Sequence, residues 1–454
     1  MRALYESSQF LLARWVLPVS GPAQENACLA IHESEIVEVI SKEEFVALPE
    51  RISAGKTRNY GEAIICPGLL NLHTHLDYSA LKHLDNYSNF FSWIKTLIGN
   101  SWQWDSQKWF ESALGGATEI LSSGTSMVLD SSVSGAAAKA VAHSGLRGIV
   151  GLELFGIVEE EADEVFAGWL ARYQKFIDEA DLPVKNALAT GRLKLTIAPH
   201  TPYSVCPALI AKSLDWSREH NLPLLIHVSE SEAECRWIAS HDDDLDKFLV
   251  SAFRRDLPAL EWRGHGLSPV KHLDKHNLLH SNVVAAHLVQ VDESDIECLA
   301  KHRVAAVHCP RSNSRLRNGI APLQKLIKAG LKIGLGTDSA ASTDDLDVLA
   351  EARFAWDLHR AIDKDFSETA EKALYYLTLG AAEALQINDN IGSLEPGKKA
   401  DFAVFSTGHL AETARQRPYE CLIYGGAKLN SLTVDGNELL KDGLISNSHE
   451  LARV

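Results

Sequence analysis

LLNLHTHLD, residues 69–77, joins an apolar run to two histidines separated by a single threonine. Along a β-strand successive side chains alternate between faces, so His73 and His75 project together. On a helix the same spacing would set them about 200° apart. The stretch therefore predicts a buried strand that ends by presenting two imidazoles on one side. The fold follows from asking whether other strands of the chain end in the same way.

They do. Working outward, similar apolar runs occur at TSMVLD (125–130), LRGIVGLELF (146–155), LKLTIAPH (193–200), LPLLIHVSE (222–230), VVAAHLV (283–289), VAAVHCP (304–310) and KIGLGTD (332–338). Most are continuous rather than alternating, the pattern of strands covered on both faces of a parallel sheet. Helix-patterned segments such as PALIAKSLDWSREHN, DESDIECLAKH and APLQKLIKAG lie between them, several ending at Gly or Asn. Eight such strands across residues 67–385 predict an α/β chain built on a (β/α)8 TIM barrel, with a doubly wound open sheet as the alternative. The barrel is favoured because nearly every run ends in a chemically useful side chain: His73 and His75, Asp130, His200, His227, His287, His308 and Asp338. Barrel enzymes carry their sites at those strand ends.

The flanks read differently. ACLAIHESEIVEVI (27–40), KADFAVF (399–405) and SLTVDGNELLKDG (431–443) are short strand patterns with turns, DGN suiting a hairpin. They predict that residues 1–65 and 388–454 are two halves of one small β-sandwich domain, composed from both termini around a barrel spanning 66–387. The early FLLARWVLPV (10–19) is broken by Arg14 and reads as a first strand rather than a signal peptide.

Composition narrows the function classes. The chain has 454 residues, 46% hydrophobic and 23% charged, enough for a sizeable core. A net charge of −16 argues against nucleic-acid or anionic-membrane partners, which need a basic footprint. The isoelectric point near 5.6 says the same. No apolar run reaches the roughly 18–20 residues that span a bilayer. Seven scattered cysteines without a C-x-x-C pair predict neither a disulfide framework nor a thiolate zinc site, and suggest a reducing, cytoplasmic setting.

The strand-end residues suit a metal. His227 closes the fifth run, His287 the sixth and Asp338 the eighth. The H-x-H pair, a further histidine and one aspartate make four ligands of N/O type, suited to Zn2+ or Fe2+. Each alone has a plainer reading: a core histidine, or an aspartate capping the next helix. Glu230, three residues after His227, is placed in the loop above such a site and is a candidate proton shuttle; its plainer reading is a helix N-terminal carboxylate. Competing motifs are missing: no G-x-x-x-x-G-K-[ST], G-x-S-x-G or H-E-x-x-H occurs.

PGLLNLHTHLD, APHTPYSV, HVSES, HCPRSN followed by NGIAPL, GLGTDSAAS and SLEPGKKADFAVF together resemble the amidohydrolase superfamily, in the order expected there. Within it they are similar to the mononuclear-metal deaminases, which include guanine, S-adenosylhomocysteine and aminodeoxyfutalosine deaminases. The resemblance implies that His73, His75, His227 and Asp338 hold one divalent metal, Zn2+ ahead of Fe2+. It implies that Glu230 protonates the ring nitrogen beside the reacting carbon and His287 orients the attacking water. Asp338 would take that water's proton and pass it to the leaving amine. His200 resembles a ribose contact. NFFSWIKTLI after the H-x-H loop resembles the aminodeoxyfutalosine-deaminase-like group, making Phe91 and Trp93 candidates for stacking on a purine. Arg147 is a candidate for the carboxylate that substrate carries, and His308 and Asn313 for site scaffolding. HCP stands where relatives often have HNP. The expected activity is deamination of a 6-aminopurine nucleoside, with guanine or another heterocycle, or triazine dechlorination, as the alternative. A non-catalytic scaffold is the reading of a different class. The expected partner is a small-molecule substrate, and a homodimer is left open.

Overall fold

A computed structural model of the chain describes residues 2–49, 56–84 and 90–446. Its centre is two four-stranded parallel sheets. The first is β6 (Leu69–Thr74), β7 (Thr125–Ser132), β8 (Arg147–Leu154) and β9 (Leu193–Pro199); the second is β10 (Leu224–Val228), β11 (Val283–His287), β12 (Ala305–His308) and β13 (Ile333–Leu335). Helices lie between successive strands, so the architecture is mixed α/β. Hydrogen bonds cross both seams between the sheets. His227 N–H donates to His200 O at 3.0 Å, and Asp338 N–H to His73 O at 2.8 Å. Asn71 reinforces the second seam, donating to Thr337 Oγ1 at 2.8 Å and accepting from its N–H at 3.0 Å.

Burial explains why the runs look continuously apolar. Leu70, Leu72, Met127, Leu129, Ile149, Leu225, Val284 and Val307 form one buried cluster. Leu69, Val128, Val150, Leu195, Ile226, Val283 and Ala306 belong to a second cluster, shared with the helices. Both faces of the strands are thus apolar, as in parallel sheets generally. β6 adds a local irregularity: its register against β7 shifts between Asn71 and Thr74. Strict alternation would turn His73 to the side opposite Leu70 and Leu72. Within the irregular stretch Thr74 Oγ1 donates to Asp130 Oδ2 at 2.7 Å.

The terminal segments meet in a nine-stranded mixed sheet. β1 (Gln9–Val16), β2 (Gln24–His32), β3 (Glu35–Ser41), β4 (Thr57–Asn59) and β5 (Ala63–Pro67) come from the N-terminal side. β14 (Phe402–Ser406), β15 (Lys428–Val434), β16 (Asn437–Lys441) and β17 (Leu444–Ile445) come from the C-terminal side. The two sides join where β5 pairs with β1 in parallel and with β14 antiparallel. Because one ladder runs through both halves, the strands form a single continuous sheet, where the patterning suggested a two-sheet sandwich. FLLARWV is β1, as expected. Only Gly68 separates β5 from β6, so the terminal sheet delivers the chain directly to the first central strand. Among the described residues, no helix is long and apolar enough to cross a membrane.

Candidate metal centre and active site

The C-terminal ends of the central strands surround a cavity of about 530 Å³. His75, His227, Glu230, His287 and Asp338 all reach it, together with Glu153 and His200. His73, at the end of β6, lies against the same cluster, its ring 4.9 Å from that of His75 and 4.8 Å from that of His227.

The protonation pattern of these imidazoles follows from their partners. His75 Nδ1 faces Ser131 O at 2.9 Å and His227 Nδ1 faces His200 O at 2.7 Å. A carbonyl only accepts, so each Nδ1 carries its proton, and each Nε2 presents a lone pair. Those two Nε2 atoms stand 3.1 Å apart. Two lone pairs at that distance repel unless a cation lies between them. A tetrahedral zinc with bonds of about 2.0–2.1 Å would set its ligand atoms about 3.3 Å apart. His73 Nε2 is buried without a hydrogen-bond partner, and Asp338 Oδ1 lies 3.6 Å from it and 3.5 Å from His75 Nε2. The three imidazoles and the carboxylate thus converge as a ligand set, and His73, His75 and His227 form a candidate metal site on geometry alone. The carbonyls behind His75 and His227 orient the rings, as outer partners of metal-bound histidines do.

Electrostatics agree. Burial pushes His73 down to about 4 and His227 well below the ordinary histidine value, so both are neutral donors at pH 7. Burial would raise Asp338, but His73 and the neighbouring imidazoles outweigh it and hold the carboxylate well below its usual range. Glu230 goes the other way. It is buried, which raises its carboxyl well above the usual value; the charge of Asp338 adds to this, and Asn318, donating to Oε1 at 2.8 Å, opposes it. A carboxyl pushed up thus shares the cavity with a carboxylate held down, the kind of contrast that separates an acid from a base.

The surrounding chain holds these groups in place. His287 Nδ1 pairs with Asn313 Oδ1 at 2.9 Å, and its Nε2 lies 3.9 Å from Glu230 Oε2. Ser312 Oγ donates to Asp338 Oδ2. Glu234 accepts the backbone N–H groups of Ser229 and Glu230 at 2.9 and 2.8 Å. Ser229, His287 and Asp338 have φ of 54°, 77° and 61°, left-handed values that non-glycine residues adopt at a cost.

Aromatic side chains form the walls: Tyr78, Phe90, Trp93, Trp102, Phe155 and Phe248 among them. Trp93 gives its indole N–H to Ala341 O at 3.3 Å and so offers the cavity only its ring. His200, its Nδ1 paired with Ser204 Oγ at 2.8 Å, also lines the space. Phe91 packs on Phe90 and Phe248 behind the wall. His308 is outside the cavity, paired with His359 at 3.1 Å. Arg147 requires a correction. It begins β8, the strand end remote from Glu153, and is bound to Asp401 through Nε at 2.7 Å and a second nitrogen at 3.1 Å. It is a link to the terminal sheet and does not reach the cavity.

Residues 64–438 match the model of the amidohydrolase family. The chain belongs to that family. It is thereby a hydrolytic enzyme, and similar curated proteins include deaminases by name. A 5-methylthioadenosine/S-adenosylhomocysteine deaminase of Pelotomaculum thermopropionicum is 30% identical over 422 residues, 89% of this chain and 87% of the relative. A 5′-deoxyadenosine deaminase of Methanobrevibacter smithii is 32% identical over 354 residues, 76% and 73% of the two chains. Among solved structures, an adenosine deaminase of Xanthomonas campestris with bound zinc superimposes with a TM-score of 0.79 at 23% identity, covering 98% of this chain and 96% of that one. The aminofutalosine deaminase of Helicobacter pylori gives 0.76 at 20% identity, covering 95% and 100%. The zinc complex of an atrazine chlorohydrolase from Arthrobacter aurescens gives 0.78 at 22%, covering 98% of each. These solved structures establish a shared fold.

Sequence reasoning passed over Glu153, Asn318 and Glu234. Glu153 ends an apolar run but is followed by Leu154 and Phe155, which hide it from a search for polar run ends. Asn318 stands in NGIAPL, a motif noticed for its resemblance without a role.

Proposed function

We propose that this amidohydrolase deaminates a 6-aminopurine nucleoside, replacing the exocyclic amine by oxygen and releasing ammonia. The observation that carries it is Glu230: a buried carboxyl that accepts from Asn318 at 2.8 Å, lies 3.9 Å from His287 and stands beside a cluster of candidate metal ligands. His73, His75, His227 and Asp338 are proposed to hold one divalent ion, Zn2+ by preference for this N/O set. Such an ion lowers the pKa of water toward about 7 and makes hydroxide available at neutral pH. The chain's own groups then do the rest. Glu230 gives its proton to the ring nitrogen next to the carbon under attack, removing the negative charge that would build there. His287, fixed by Asn313, orients the attacking water. Asp338 takes the proton the water gives up and returns it to the amine as it leaves.

The walls bear on the substrate. Among the described residues no lysine or arginine lines the cavity, and the sequence 85–89, DNYSN, contains none. Arg254 stacks on Trp102 at 4.0 Å but is not part of the lining. This favours nucleosides with an uncharged, apolar 5′ group over those bearing a carboxylate, aminodeoxyfutalosine included. For the fold, the hydrogen bonds at both seams support reading the two parallel sheets as one eight-stranded barrel over residues 66–387. Residues 1–65 and 388–454 then supply the appended β domain.

Purified protein assayed for metal and for ammonia release tests the reading. One zinc per chain is expected, lost in H73A/H75A. Release is expected from adenosine, 5′-deoxyadenosine or 5′-methylthioadenosine. Turnover of guanine or a chlorotriazine, with every nucleoside inert, would overturn it.

A further inference from the structure

A second group of metal-ligating side chains lies outside the cavity. Asp274, Cys298 and His302 bring a carboxylate oxygen, a sulfur and an imidazole nitrogen within 4.8 Å of one another, and none of the three lines the cavity. The helix Glu293–Lys301 carries Cys298, and His302 caps its C-terminal end. That i, i+4 spacing sets the two on one helical face. The helix Pro269–Lys275 packs beside it and supplies Asp274. One helix leads into β11 and the other follows it. The three side chains do not form an ordinary surface ion pair. His302 Nε2 lies 2.8 Å from Asp274 Oδ1, yet that nitrogen is buried and makes no hydrogen bond. The distance suits an N–H aimed at the oxygen; the angle does not. Cys298 is almost wholly buried, while His302 and Asp274 are partly exposed, so the group has an open side. Among the described residues no other cysteine joins such a group.

We infer that Cys298, His302 and Asp274 form a second cation site, for a borderline-soft divalent ion of the Zn2+ type, with water in the fourth position. Tetrahedral zinc, with bonds of about 2.0–2.3 Å, sets such ligand atoms about 3.3–3.6 Å apart. Rotation of the two partly exposed side chains supplies that closure. The thiol gives its proton to solvent on binding, and thiolate and carboxylate together cancel the charge of the ion. A sulfur ligand selects Zn2+ over Mg2+ and Ca2+. The cysteine spacing in the sequence points away from a thiolate site, because two of the three ligands are not cysteines and one comes from the preceding helix. The ion clamps the two helices on either side of β11 and takes no part in the chemistry. With three protein ligands and an open side it binds more weakly than the central set, so it fills from added metal once the central site is loaded. The site does not depend on the deaminase reading.

Co2+ titrated into the zinc-loaded protein tests it. The central ligands are all nitrogen and oxygen, so only a thiolate site gives cobalt a near-ultraviolet sulfur-to-metal charge-transfer band. Wild type is expected to develop that band to a plateau at one cobalt per chain and to unfold at higher temperature with the ion bound. C298A should show neither effect, keep its first zinc, and retain deamination within about twofold, as distant sites act independently. H302A, altered at a partly exposed position, keeps the cysteine but should bind cobalt about tenfold more weakly or worse for want of one ligand. H73A/H75A should develop the band as wild type does. No band in wild type, the same band in C298A, or unchanged cobalt affinity in H302A would overturn the site while deamination stands. A band in a protein that deaminates no nucleoside would keep this site and remove the function proposed above.

Discussion

At the level of single residues, the proposed mechanism turns on Glu230, whose carboxyl is raised well above the usual range. Burial and the charge of Asp338 raise it, and Asn318 pulls it down. The donor form therefore persists above the usual carboxyl range, and kcat should fall as pH rises through the elevated value. E230Q keeps the shape and the Asn318 contact but has no proton to give. It should lose about 10²–10⁴ in kcat, retain one zinc per chain, and lack the alkaline limb. Removing the opposing hydrogen bond with N318A should move that limb to higher pH, since the group that lowers Glu230 is gone. Full activity in E230Q, or a limb unmoved in N318A, would end the assignment. Glu230 was readable from the sequence because it lies three residues from a strand-end histidine. Asn318 was not: it is 88 residues from its partner, and only the folded chain brings them together.

Elements show a similar division. The eight apolar runs named the eight central strands, because burial on both faces leaves a compositional mark that survives without tertiary information. The direction of the histidines needed more. Alternation pairs His73 with His75, yet it also predicts that Leu72 and His73 face opposite ways. β6 shifts register against β7 between Asn71 and Thr74, and nothing in LLNLHT announces it. The seam facing β6 is equally tight. A Cβ on Gly336 would meet His73 Cβ at 2.6 Å and His73 N at 2.8 Å, so the segment carrying Asp338 approaches β6 only through a glycine. G336A should push the two apart and strain the bond from Asp338 N–H to His73 O. We expect a loss of about 1–3 kcal/mol in denaturant unfolding, and release of zinc to a chelator at least tenfold faster. Gly115, at an exposed helical position where an added methyl would meet nothing within 4 Å, is the control. G115A should stabilise by roughly 0.5–1 kcal/mol through helix propensity and leave the zinc untouched. Equal zinc retention in both variants would show that the glycine does not set the position of Asp338.

Over the whole molecule, the question is how a sheet made from both ends of the chain is fastened to the strands that carry the site. Strand patterns at the two ends showed that they belong together. Their order did not follow, since placing β5 between β1 and β14 depends on contacts made only after folding. Arg147 is one fastening, beside the packing of Ile64, Phe405 and Leu432 into the central core. Its guanidinium, with 12% of the side chain exposed, grips Asp401, at 3%, and Asp401 also accepts the N–H of Asp435 at 2.6 Å. The same arginine looked from sequence like a carboxylate receptor, because a lone cation at the edge of an apolar run carries no label for its partner. The two roles separate experimentally. As a fastening, R147A strands a buried carboxylate and should cost about 3–5 kcal/mol. Its kcat/KM, per folded molecule, should stay within threefold of wild type for neutral and for carboxylate-bearing nucleosides alike. Replacing both partners, R147L/D401L, should recover part of that stability: the pair is exchanged for apolar side chains, but Asp435, 3.6 Å from Arg147, loses its cation and its N–H loses Asp401. A selective loss on the carboxylate-bearing substrate in R147A, with stability unchanged, would return Arg147 to the substrate and leave the terminal sheet held by its apolar packing on the core and its backbone hydrogen bonds.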